Sequence, residues 1–208
     1  MRLAELTAEA EAKNLRQNGN QVTYVVNRNA NFTRVCNVGC SFCGFGRRPG
    51  TPGATSDRID EVVARVGQTP WVTEVCLQGG IDPDLKPEYY LDLARALREA
   101  FPAMHLHAFS PMEIDSLCEK AGCAPEEMVA KLRAAGVGSI PGTAAEILVD
   151  RVRRKISRNK LPTERWVRIV RAAHRAGLPS SATILFGHME SWADIRAHFE
   201  VLRRVQEE

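Results

Sequence analysis

The chain has 208 residues and a mass of 23.0 kDa, enough for one domain with a substantial core. Hydrophobic residues make up 44% and charged residues 25%, which excludes a disordered, collagen-like or low-complexity polymer. The formal net charge of +3, from 28 Lys and Arg against 25 Asp and Glu, is too small to argue for a nucleic-acid surface.

The opening Met1-Arg2-Leu3-Ala4-Glu5-Leu6 lacks the apolar run and cleavage site of a signal peptide. No stretch approaches the roughly 20 apolar residues of a membrane helix. The expectation is a cytoplasmic chain with no membrane partner, whose 6 cysteines are reduced thiols or metal ligands rather than disulfides. Val22-Thr23-Tyr24-Val25-Val26 reads as a first strand. A helix follows with Ser56 as its cap, Asp57 in its first turn and Ile59, Val62, Val63 and Val66 on one stripe.

Val72 to Leu77 predicts a second strand, and Tyr90, Leu93, Ala94, Leu97 and Phe101 predict a helix stopped by Pro102. Met104 to Phe109 predicts a third strand, and a helix from about Pro125 buries Met128, Val129 and Leu132 before Gly136. Val137 to Ile140 reads as a fourth strand, with a helix capped by Thr163 and closed by Gly177 after it. Ser181 to Phe186 reads as a fifth strand, followed by a helix from about Trp192. Strands alternating with helices imply right-handed crossovers and a parallel sheet, so the class is α/β. About five βα units fall short of a closed eight-unit barrel, leaving an open sheet or a partial barrel in a single domain over residues 1–208.

The densest chemistry follows the first strand, where Cys36, Cys40 and Cys43 are spaced by three and two residues in a loop with Gly39, Gly44 and Gly46. Glycine lets such a loop turn tightly around a compact ligand. Three thiolates suit a four-iron, four-sulfur (4Fe-4S) cluster with one iron left open. Zinc is the competing metal and needs a fourth ligand, yet the nearest in sequence are Cys76 and His105. Three buried free thiols are the bland alternative. For Cys76, Cys118 and Cys123, which do not cluster, that reading is the better one.

Cys36-x3-Cys40-x2-Cys43, with Phe42 before the last cysteine, resembles the signature of the radical S-adenosylmethionine superfamily. The resemblance implies a partial (βα) barrel of the radical SAM type, with the three cysteines holding a 4Fe-4S cluster whose open iron chelates S-adenosylmethionine. One electron then cleaves the sulfonium to a 5′-deoxyadenosyl radical, with Phe42 packed near the adenine. Further stretches narrow the likeness. They are Tyr24 to Asn29, Gln78 to Leu85, His105 to Ile114, Pro141 to Leu148 and Ala182 to Glu190. Together they resemble the second subunit of FO synthase, or the matching half of the fused enzyme.

That family implies a transferase joining the side chain of L-tyrosine to 5-amino-6-(D-ribitylamino)uracil, on the route to the deazaflavin of coenzyme F-420, with an FO synthase partner subunit acting on the product. Its nearest relatives serve the futalosine route to menaquinone and show a glycine run where Thr143-Ala144-Ala145 stands here. Asp82 stands where the family commonly has His, and Ser157-Arg158 where Cys-Pro is common. Family members also run longer, so the expectation is a radical SAM core without its last barrel strand and C-terminal region. An inactive remnant and a zinc-binding α/β module are the readings of a different class.

Gln78-Gly79-Gly80 is expected to present a backbone edge to the methionine amino group, an ordinary strand-to-loop turn being the alternative. His105 and His107 alternate and so share a face. His107 is the candidate to hold a substrate group, against the alternative of a satisfied interior histidine. Glu146 and Arg153 are candidates for the amino-acid ends of cofactor or substrate. Arg151, Arg153, Arg154, Lys155 and Arg158 read equally well as a solvated basic face. His188 and Glu190, closing the fifth strand, are candidates for proton transfer or for placing the uracil.

Overall fold

The computed structural model describes residues 3–208; Met1 and Arg2, at the head of the segment read as free of a signal peptide, lie outside the described residues. In chain order the elements are α1 (Leu3–Asn18), β1 (Asn27–Asn31), α2 (Ile59–Gly67), β2 (Glu74–Gln78), α3 (Pro87–Ala100), β3 (His105–Ala108), α4 (Pro111–Ala121), α5 (Pro125–Ala134), α6 (Asp150–Ile156), α7 (Thr163–Arg175) and α8 (Trp192–Glu207). No helix among the described residues is long and apolar enough to cross a membrane.

β1, β2 and β3 pair in parallel in that order, with Asn29 opposite Cys76 and Cys76 opposite His107. Beyond β3 the sheet continues as extended chain joined by isolated parallel bridges, His107 to Ser139 and Ile140 to Ser180. The expected fourth and fifth strands thus occupy the right places in the sheet, but neither forms a regular ladder. The fifth segment instead follows the fourth through Ser181 N–H to Ile140 O at 3.3 Å and Leu185 N–H to Glu146 O at 2.9 Å.

Alternation along each strand separates two environments. Ala30, Val75, Leu77, Leu106 and Ala108 are buried against the helices, where Val62, Leu93, Leu117, Leu132 and Trp166 join them in one core. The other face carries Asn27, Asn29, Asn31, Glu74, Cys76, Gln78, His105 and His107, all half-buried or exposed. This polar inner face explains a correction. Val22 to Val26 is not a strand and is exposed, Tyr24 by 86%; pairing begins at Asn27, in a segment of low β propensity whose side chains suit a wet surface.

Three helices lacked a sequence expectation. α1 buries none of its residues, so it shows no apolar stripe, only the helix-favouring Ala, Glu, Leu and Lys content of its sequence. α4 carries a plain signature, Ser110-Pro111-Met112-Glu113: Ser110 caps the helix and Glu113 at its third position bonds back to the Ser110 N–H at 2.7 Å, while Gly122 closes it at φ 62°. α6 is a single short basic segment.

Two expected caps also move. Arg58, not Ser56, precedes α2, with its N–H held by Glu61 at 2.7 Å. Pro162 precedes α7, and Thr163 turns its N–H and hydroxyl to Asp150 Oδ1 at 2.9 and 2.7 Å.

Phe32 anchors the chain where β1 leads into the cysteine loop. It is fully buried, edge-on to Tyr90 at 5.3 Å and to Phe109 at 6.0 Å between ring centroids. Phe32→Ala is expected to cost about 3–5 kcal/mol, read as a lower urea midpoint at unchanged slope.

Candidate functional site

The cysteine loop hangs from the sheet by backbone bonds. Cys36 N–H donates to Arg47 O at 2.8 Å, Arg47 N–H returns to Arg34 O at 2.7 Å, and Asn37 N–H donates to Ile81 O at 3.0 Å. Its far side rests on the end of α6, where Ser41 donates from both N–H and hydroxyl to Ile156 O at 2.8 and 3.0 Å. The Arg47 guanidinium gathers the carbonyls of Gly44 and Gly46, each at 3.0 Å.

Within this frame Gly46 packs on the thiols. A Cβ there would lie 3.1 Å from Cys36 Cβ and 3.8 and 3.9 Å from the sulfurs of Cys36 and Cys43, while Gly46 N–H donates to Cys43 Sγ at 3.4 Å. Backbone donors of this kind stabilise sulfur that carries negative charge. Burial pushes the Cys40 thiol up, opposed by the Lys160 ammonium. No three His, Cys, Asp or Glu side chains among the described residues converge as a single ion requires. A cluster instead spreads its thiolates over several irons, and three cysteines on a glycine loop with a sulfur-directed N–H fit one.

Beside the loop lies a cavity of about 310 Å³ lined by Cys40, Phe42, Cys43, Gly79, Glu113 and Glu146, among others. Gln78 and Gly79 both line it; Gln78 Nε2 donates to Thr143 Oγ1 at 3.3 Å. Gly79 and Gly80 are glycines by necessity. A Cβ on Gly79 would come within 2.7 Å of Phe32 and Thr33 side chains, and one on Gly80 within 2.2 Å of Val35 O. The edge is therefore pressed against the base of the cysteine loop, with Gly80 N–H bonded to Thr33 O at 3.0 Å. Asp82, the departure noted above, is buried here and accepts the Ser56 hydroxyl at 2.6 Å.

Glu113 was missed as a site residue although its capping signature was visible. It is buried, and its carboxylate accepts Gly79 N–H at 3.0 Å through one oxygen and the Ser110 N–H and hydroxyl at 2.7 and 2.6 Å through the other. It thus ties the glycine edge of β2 to the start of α4. Burial pushes its pKa from 4.5 up to about 7, against the pull of these hydrogen bonds.

Glu146 and Arg153 lie side by side but differ in role. Arg153 is buried and its donors go to the carbonyls of Ala144, Ala145 and Leu161 at 2.6–3.2 Å, so it braces the loop that carries Glu146. Glu146 faces the cavity, its Oε1 paired with Lys160, while its Oε2 is buried with no hydrogen-bond partner and only Arg153 Nη1 at 3.7 Å. Lys160, unforeseen from the sequence, also stands 5.5 Å from the centre of the Phe42 ring. Ala144 and Glu146 hold positive φ angles of 63° and 36°, and Phe109 at the end of β3 holds 62°. Strain of this kind gathers at functional sites.

His107 lies on the inner face, in register with Cys76, and burial lowers its pKa. His188 and Glu190 do not line the cavity. They form a surface turn after the fifth extended segment, where Glu190 accepts the N–H groups of Gly187 and His188 and His188 Nε2 meets Leu185 O at 3.0 Å. These bonds, the Gly187 N–H foremost, hold the Glu190 carboxyl down at about 2.

Glu113 has a sign that pH can read. Its folded pKa lies above its unfolded value, so the folded state holds the extra proton and stability falls as pH rises from about 4.5 to about 7. The full difference is roughly 3 kcal/mol. Glu113→Gln is expected to flatten this slope in chemical unfolding of the metal-free chain between pH 4.5 and 8. Parallel slopes for the two proteins would show that Glu113 is ionised throughout.

Residues 30–202 match the family described as the Radical SAM superfamily. The FO synthase of Mycobacterium tuberculosis (strain ATCC 25618 / H37Rv) is 49% identical over 191 residues, covering 91% of this chain and 22% of that protein. The 5-amino-6-(D-ribitylamino)uracil--L-tyrosine 4-hydroxyphenyl transferase of Microcystis aeruginosa is 41% identical over 212 residues, covering 99% of this chain and 56% of that one. The chain therefore spans about a fifth of the first relative and about half of the second. Among solved structures, the FeFe-hydrogenase maturase HydG shares the fold, with a TM-score of 0.72 over 99% of this chain and 44% of that one at 14% identity. The match over residues 30–202 coincides with the three-thiol loop, its glycine edge and the parallel sheet that presents them, and by it this chain belongs to the radical SAM superfamily.

Proposed function

We propose that the chain is the catalytic core of a radical transferase. It breaks the Cα–Cβ bond of L-tyrosine and joins the released 4-hydroxybenzyl group to 5-amino-6-(D-ribitylamino)uracil, as a step of deazaflavin formation. The observation that carries the reading is the three-thiol loop opening on a cavity, in a chain 41% identical to a protein named for that transfer. Cys36, Cys40 and Cys43 would hold the 4Fe-4S cluster. A cluster bound there with S-adenosylmethionine supplies the one-electron cleavage that starts radical chemistry.

The remaining work falls to the chain's own groups. The Gly79–Gly80 edge lets a ligand amine approach backbone closely, which any side chain would prevent. Glu146 Oε2, buried and without a hydrogen-bond donor, is an acceptor open to a ligand N–H or O–H, and the Arg153 guanidinium 3.7 Å away holds it in place from behind. Phe42 offers an apolar wall at the mouth of the cavity. His107 faces the open side of the sheet, where the polar row of β1 and β2 suits a hydroxylated heterocycle better than an apolar one. His188 and Glu190 form a turn beside the end of the fifth segment and would act on substrate from that rim. A partner subunit would take up the product.

The test is anaerobic reconstitution with iron and sulfide, then S-adenosylmethionine, reductant, tyrosine and the ribityl-aminouracil, with products followed by mass spectrometry. A tyrosine-dependent adduct is expected, absent in Cys40→Ala, which is also expected to lose the brown cluster absorbance. Deoxyadenosine without adduct would overturn the tyrosine reading in favour of a futalosine-type substrate, and bound zinc without labile sulfide would overturn the radical one.

A further inference from the structure

On the inner face of the sheet, one hydroxyl joins two imidazoles. Ser139 Oγ lies 2.7 Å from His105 Nε2 and 2.6 Å from His107 Nδ1. A serine has one proton to donate, so it gives that proton to one ring and must receive a hydrogen bond from the other. With both rings neutral, the two facing nitrogens therefore share a single proton, and shifting it through the hydroxyl reverses both tautomers once His107 Nε2 gains a proton and His105 Nδ1 loses one.

The backbone is shaped for this contact. Gly138 leaves room for the His105 ring, since a Cβ there would come 2.6 Å from its Cε1 and 2.8 Å from its Nδ1. Ser139 is buried and fixed by the sheet, its carbonyl accepting Ala108 N–H at 2.9 Å and its N–H donating to Leu106 O at 3.2 Å. At the outer end, His105 is half-exposed and its Nε2 lies 4.0 Å from Glu74 Oε2, so a proton arriving there meets both a carboxylate and solvent. At the inner end, His107 Nε2 has no hydrogen-bond partner among the described residues. The titratable groups facing His107 are Glu74 and Cys76 on β2 and His105 on its own strand, with Ser139 on the next segment.

We infer that His107, Ser139 and His105 form a proton relay between a ligand on the inner face and solvent, with Glu74 at its outer end and Ser139 as the positioning residue. In the resting state His107 carries its proton on Nδ1 and donates to Ser139, whose hydroxyl donates to His105 Nε2. His105 carries its own proton on Nδ1. When His107 Nε2 takes a proton from the ligand, its Nδ1 proton passes to Ser139 Oγ and the hydroxyl proton passes to His105 Nε2. His107 ends neutral, Ser139 ends as a hydroxyl, and His105 ends as a cation beside Glu74 that releases its Nδ1 proton to water. One proton crosses, no electron moves, and the ligand is left one proton poorer. The identity of that ligand as tyrosine or the aminouracil, both of which bear N–H or O–H protons, rests on the function proposed above.

The test uses the whole chain with ¹⁵N-labelled histidine, its signals assigned through His105→Gln and His107→Gln. Wild type is expected to show each ring in one neutral tautomer, with the two rings titrating as a coupled pair. Ser139→Ala is expected to uncouple them and give mixed tautomers, and Ser139→Thr, which keeps the hydroxyl, to restore the coupling. Independent titration in wild type, or tautomers unchanged in Ser139→Ala, would overturn the relay. Added L-tyrosine or 5-amino-6-(D-ribitylamino)uracil should move the His107 Nε2 signal and, only when Ser139 is present, the His105 signals as well. Coupled rings that neither compound moves would keep the relay and overturn the tyrosine-transfer reading of this face.

Discussion

The constraint on which the site depends is the approach of the Gly79–Gly80 edge to the base of the cysteine loop. Val35 O is only 2.2 Å from where a Gly80 Cβ would stand, so backbone meets backbone there, and the Phe32 and Thr33 side chains would lie 2.7 Å from a Cβ on Gly79. Everything at the site is measured from that contact. It fixes where the loop leaves the sheet, and hence where three thiols, a cavity and Glu146 lie relative to one another. Glycine alone permits it, because the loss of a Cβ is what makes the space.

Holding that contact requires charge in an apolar setting. Glu113 is buried to reach the Gly79 N–H, and Arg153 is buried to gather three carbonyls around the strained turn of Ala144 and Glu146. Each desolvated group lowers stability in isolation and is retained through its hydrogen bonds. The outcome is a hydrogen-bonded wall on one side of the cavity and on it a carboxylate oxygen with no hydrogen-bond donor, the combination expected where binding rather than stability sets the residue choice.

The sheet divides its labour by face. Buried Val75, Leu77, Leu106 and Ala108 fasten it to the helices, while the alternate residues form a polar row that no core covers. A closed barrel fills its interior with side chains. Here the inner face of the three-stranded sheet and its two bridged extensions carries polar side chains instead, and on it His105, His107 and Ser139 hydrogen-bond to one another.

Local chemistry was legible in the sequence wherever a short stretch decides it. The Cys36, Cys40 and Cys43 spacing, the glycine edge after β2, the alternating histidines of β3 and the helices with clear apolar stripes are all set by neighbours within a few residues. The signature of α4 was equally local and went unused, and with it Glu113. Other features depended on partners far along the chain. Val22 to Val26 has the residues of a strand and Asn27 to Asn31 does not, yet the ladder forms at Asn27 because β2 offers its partners there. The fourth and fifth segments have strand-like composition, but their backbones join the sheet through isolated bridges and scattered hydrogen bonds rather than a regular ladder. Lys160 reaches Glu146 across 14 residues and Ser139 reaches the histidines across more than 30. Spacing along the chain thus determined the three-cysteine loop and the class of fold. Which groups share a proton, which arginine braces and which carboxylate waits were decided by tertiary structure, because burial and hydrogen-bond partnership are properties of three-dimensional neighbours.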